Sequence, residues 1–137
     1  MNLATLRIEG SDAELDALKT ALPVKVESSW KKGEPMRRGT YRASGFNTTI
    51  ADTDNPKQLV EAIRKFLTEC KSRGVEFSKQ DLTTELSIGI AVGDSVQFVA
   101  SIDFSPNDLK ILAAFGIALS VTAYPTSYEA NEHDKNA

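Results

Sequence analysis

The chain has 137 residues, 41% of them hydrophobic and 26% charged, with a net charge of −3. This is one domain's worth of sequence, able to bury about two-thirds of its unfolded surface, and it excludes general disorder. A net charge of −3 does not suggest an electrostatic nucleic-acid binder, local patches aside, and no apolar run approaches the roughly 20 residues that span a bilayer.

In chain order, LATLRIE predicts a strand with Ala4, Leu6 and Ile8 on one face. Ser11 and Glu14 have capping-box spacing, and Leu15, Leu18 and Leu22 then give a short amphipathic helix that Pro23 ends. VKVESSW and TYRASGF read as the second and third strands. Asn55-Pro56 opens the clearest helix, with an apolar stripe of Leu59, Ala62, Ile63, Phe66, Leu67 and Cys70 and a stop at Gly74. Leu86, Ile88, Ile90 and Val92 alternate, Gly93-Asp94 marks a turn, and Val96, Phe98, Ala100 and Ile102 alternate again, which predicts an antiparallel hairpin. Ser105-Pro106 with Asp108 starts a third helix, in which Leu109, Leu112 and Ala113 are expected to face the core, and Gly116 closes it. IALSVTAY supplies the last strand.

The expected order is β-α-β-β-α-β-β-α-β. It describes a single α+β domain over residues 1–125, with a mixed, largely antiparallel sheet of about six strands and three helices. A flexible C-terminal tail is expected at 126–137.

The amino terminus lacks a basic segment followed by an apolar one, so no secretory signal is expected. The one cysteine, Cys70, leaves no intrachain disulfide framework and no Cys-cluster metal site, and both points favour the cytoplasm. The one histidine, His133, falls in the tail, where it is poorly placed to serve a nucleophile or a metal. Neither a phosphate loop nor a dinucleotide-binding glycine pattern is present, so no cofactor and no metal are expected. Spacing does not bring Glu27, Glu34, Glu85 and Asp103 together, so a carboxylate-dependent enzyme is left without named support.

Two charged stretches remain. Between Lys25 and Arg42 six basic residues face two acids, with Trp30 and Tyr41 beside them. Trp30, Lys31, Lys32, Arg37, Arg38 and Tyr41 could hold an anion and stack on a ring, or the stretch could be a solvated loop anchored by Trp30. Between Glu76 and Asp108 six acids accompany the single base Lys79. Glu76, Asp81, Glu85, Asp94 and Asp103 are the candidates for an acidic face that would favour a basic partner.

Trp30-x-x-Gly33-Glu34 leads into a basic strand, followed by the helix LVEAIRKFL, a hairpin and SPNDLKILAAFGIALSVTAYP. This combination resembles the bacterial domain of unknown function 4279 family over about residues 3–125, with Ala-Phe-Gly where that family has a helix ending near Leu-Gly. The resemblance implies a compact bacterial cytosolic domain and carries no catalytic residue with it. By class-level analogy, small acidic proteins of this sort look like immunity partners of toxins. The leading expectation is therefore a non-enzymatic, protein-binding immunity protein that neutralises a cognate bacterial toxin, such as a nuclease. The alternative is a small-molecule or nucleotide-binding regulatory domain using the basic loop 31–42. Oligomeric state and strand order are not legible.

Overall fold

Alternation in the first ten residues builds the strand around which everything else is arranged. In the computed structural model, which describes residues 1–79 and 81–126, β1 (Asn2–Gly10) is the middle strand of a five-stranded sheet. The other strands are β2 (Ser28–Trp30), β3 (Ser44–Asp52), β4 (Thr83–Val92) and β5 (Ile117–Pro125), in the spatial order β2-β3-β1-β4-β5. The helices are α1 (Asp12–Ala21), α2 (Pro56–Ser72) and α3 (Pro106–Phe115).

β1 is antiparallel to both β3 and β4, and β2 is antiparallel to β3. The first four strands and two helices thus form a split βαβ arrangement, in which β3 lies between β1 and β2. α3 and β5 extend it, and β5 pairs in parallel with β4. A parallel neighbour requires a long crossover, and residues 93–116 supply one.

The expected mixed, largely antiparallel sheet of about six strands is therefore corrected in its strand number to five, with three antiparallel pairings and the parallel β4–β5 pairing. The error lies at Val96–Ile102, whose period of two predicted a strand. Asp94 accepts hydrogen bonds from the amides of Val96 at 2.9 Å and Gln97 at 2.6 Å. Gly93 donates to the Gln97 and Phe98 carbonyls at 3.0 and 3.2 Å. These local bonds curl the backbone into a closed loop, using groups that a ladder would need. Val96 and Phe98 consequently point to solvent, while Ala100, Ile102 and Phe104 are half-buried against the core.

All three helices contribute to one core on one face of the sheet. Ala4, Leu6 and Ile8 of β1, Leu86, Ile88 and Ile90 of β4, and Phe46 of β3 meet Leu15 and Leu18 of α1 and the stripe of α2. Cys70 completes that stripe at 0% exposure, and burial pushes its thiol up to about 12, so it is an inert apolar side chain. α3 departs from expectation. Leu112 is buried, but Leu109 is half exposed and Ala113 is exposed, and the other buried residue of the helix is Asp108.

The caps explain where the helices start. Asn55 accepts from the Gln58 amide, with Pro56 in the first turn. Ser105 and Asp108 form a complete capping box. At Ser11 half of the expected box is present. Its hydroxyl accepts from the Glu14 amide, while the Glu14 carboxylate lies 3.4 Å from Lys79. Gly116 ends α3 at φ 73°, where a side chain would be strained. Of the expected tail, Thr126 donates through its amide to the Val92 carbonyl at 2.8 Å; the remainder, with His133, lies outside the described residues.

Candidate functional site

Among the described residues no helix covers the sheet face opposite α1 and α2. Leu3, Thr5 and Arg7 of β1, Asn47 of β3, and Glu85 and Ser87 of β4 share it. One end is covered by residues 31–43, which fold into a small hairpin. Gly33 donates to the Tyr41 carbonyl at 2.9 Å, Tyr41 to the Glu34 carbonyl at 3.0 Å, and Met36 to the Gly39 carbonyl at 3.0 Å. Gly33 and Gly39 sit at φ 88° and 82°, conformations open to glycine, and these close the two bends.

Trp30 fastens the hairpin to the sheet. Its side chain is 7% exposed, its Nε1–H donates to the Ala43 carbonyl at 3.1 Å, and its ring stacks on Tyr41 with centroids 5.2 Å apart. The Arg7 guanidinium lies 4.5 Å from the centre of the indole. Gly45, opposite Trp30 in the ladder, makes room, because a Cβ there would meet the indole at 2.5 Å. Trp30 is thus structural support, occupied by Tyr41 and Arg7.

Beneath the hairpin runs a groove of about 550 Å³ lined by Arg7, Glu9, Met36, Arg38, Tyr41 and Arg42. Glu9 Oε1 accepts from Arg7 Nε at 3.0 Å and Nη2 at 2.7 Å, which balances that charge. Arg38 and Arg42 have no hydrogen-bond or ion-pair partner among the described residues. Of the six residues expected to hold an anion, the structure brings Arg38 and Tyr41 into the groove, with Trp30 behind Tyr41. Lys31 lies 3.3 Å from Asp12, Lys32 borders an adjoining depression with Asp12 and Asp81 that Arg42 also lines, and Arg37 is exposed beside Arg38 in the hairpin. Arg7 and Arg42 were not among those six. Arg7 could have been suspected from its odd position in a strand whose even positions are apolar.

The acidic candidates are spread out. Glu76, Asp81, Glu85 and Asp103 border four different depressions, and Asp94 borders none of these. Asp94 is engaged in its own loop, where hydrogen bonds from the Gln97 and Val96 amides lower its pKa. Asp103 shares its depression with Lys57 and Arg64.

A second surface was hidden in the misread strand. On the 93–104 loop Val96, Phe98 and Val99 are 89%, 74% and 78% exposed. The base of this loop is nevertheless pinned: Gln97 Nε2 donates to Asn2 Oδ1 at 2.9 Å and to the Ala91 carbonyl at 2.7 Å, and Asn2 is buried. Among the described residues no group of His, Cys, Asp and Glu is placed to hold a metal ion, and no helix is long and apolar enough to cross a membrane. No family model, curated protein or solved structure matches this chain.

Proposed function

We propose that this protein is a non-enzymatic binding module that docks another protein through its 93–104 loop, and that the partner is a basic bacterial toxin, such as a nuclease, neutralised by occlusion. The observation that carries the reading is the exposure of Val96, Phe98 and Val99 on a loop whose base is hydrogen-bonded in place. Exposed apolar side chains on a loop already ordered lose little conformational entropy on docking. An aromatic side chain amid aliphatic neighbours can serve as a buried anchor. Asp94 and Asp103 stand near the two ends of the loop, and the chain's charge of −3 favours a basic partner. A class-level analogy with small acidic immunity proteins supports the toxin part of the proposal.

The test asks whether a toxin is encoded beside this gene, whether co-expression neutralises it, and how tightly the purified pair binds. The wild-type protein should restore growth, and Phe98→Asp with Val99→Asp should weaken binding by about 30-fold or more while leaving the melting temperature unchanged. Failure to neutralise a neighbouring toxin, or equal binding by the double variant, would overturn the reading.

A further inference from the structure

We propose that the groove between the 31–43 hairpin and the open sheet face is a separate binding site, taking the oxyanion of a small phosphorylated molecule. Arg38 and Arg42 line the groove with no hydrogen-bond or ion-pair partner among the described residues, and Arg7, held by Glu9, lines it from the sheet. Each guanidinium is a planar fork that can grip a phosphate through two parallel hydrogen bonds, so a cluster of them suits this anion better than scattered lysines would. The backbone carrying Arg38 and Arg42 is closed by the hairpin bonds and by the Pro35–Thr40 bridge. Met36 and Tyr41 give the groove apolar wall for the remainder of the ligand. At about 550 Å³ it falls within the size range of small-molecule sites.

The acids on the same face set the ligand's size. Glu9 already binds Arg7, and Glu85 lies opposite Arg7 in the ladder. One phosphate or pyrophosphate group can displace Glu9 from Arg7. A polyanion running across the sheet would meet Glu85 and a chain of net negative charge, so nucleic acid does not fit this groove. The site is on a different surface from the 93–104 loop and does not depend on the toxin reading.

Trp30 is the only tryptophan and touches both Arg7 and Tyr41, so its emission reports on the groove. The full chain is titrated at low salt with pyrophosphate, with adenosine monophosphate and with adenosine, and melting temperature is read in parallel. Pyrophosphate and the monophosphate should change Trp30 emission saturably and raise the melting temperature, and adenosine should do neither. Arg38→Gln and Arg42→Gln should each weaken binding about tenfold, since each removes a charged hydrogen-bonding group. Lys32→Gln and Arg37→Gln should leave it unchanged, and Glu9→Gln should tighten it by freeing Arg7. The proposal fails if neither phosphate compound alters emission or melting at about 10 mM, or if the Arg38→Gln/Arg42→Gln double variant binds as tightly as the wild type.

Discussion

At the scale of single residues, the stretch richest in apparent binding chemistry divides into support and surface. Trp30 is buried, stacked and hydrogen-bonded, and Gly45 is shaped to receive it. Trp30→Ala should cost on the order of 3–5 kcal/mol, the usual loss when a large buried aromatic is truncated. Gly45→Ala should also destabilise, because its Cβ would stand 2.7 Å from the Ile8 carbonyl oxygen as well as against the indole. Overpacking of this kind costs about 1–3 kcal/mol. Reversing the charges of Lys31, Lys32, Arg37 and Arg38 should change stability little, since all four are exposed and the Lys31–Asp12 pair is more than half exposed. Thermal unfolding of the three variants checks this ordering. A Gly45→Ala protein as stable as wild type would mean that the indole does not lie across that backbone.

At the scale of elements, the start of α3 combines a cap with an ion pair. Asp108 accepts from Arg64 Nε at 2.9 Å and Nη2 at 2.8 Å, and also from the Ser105 amide at 2.8 Å. Its carboxylate is 8% exposed, and the Arg64 guanidinium, then the Ser105 cap, hold its pKa well below the usual carboxylate value of 3.8. A depressed folded-state pKa means stability that is fully present above the unfolded value and lost as pH falls through and below it. The wild-type protein should therefore lose stability progressively below about pH 5, and Asp108→Asn should flatten that slope while lowering stability at neutral pH. Ser105→Ala, which removes half of the capping box, should cost about 1 kcal/mol. An unchanged acid limb in Asp108→Asn, followed by chemical denaturation at several pH values, would refute the assignment. These caps were legible in the sequence because cap, proline and apolar stripe all act within a few residues. The 93–104 loop was not, since Asp94 competes with a ladder by hydrogen bonds that leave the alternating pattern intact. The groove was not legible either: Arg7 lines it together with Arg38 and Arg42 only because β1 pairs with β3.

At the scale of the whole molecule, the strand first in sequence is central in the sheet, and the strand last in sequence is left at an edge. β1 is paired on both sides, by β3 and β4, whereas β5 is paired on one side by β4. β5 spans nine residues, IALSVTAYP, and contains no charged side chain. Ile117 is its one buried residue, and Leu119, Val121 and Tyr124 are 38%, 48% and 49% exposed. Most edge strands are protected by a charge or a bulge; among the described residues Pro125 at the end of the strand is the one feature of that kind. Successive amides of a strand point to opposite sides, so in the isolated chain alternate N–H groups of β5 should face solvent. Amide hydrogen exchange should then show β1 protected along its length and β5 protected at every second position. Should every amide of β5 prove slow, with protection that rises with protein concentration, a second strand has joined that edge and the isolated sheet is not the working form.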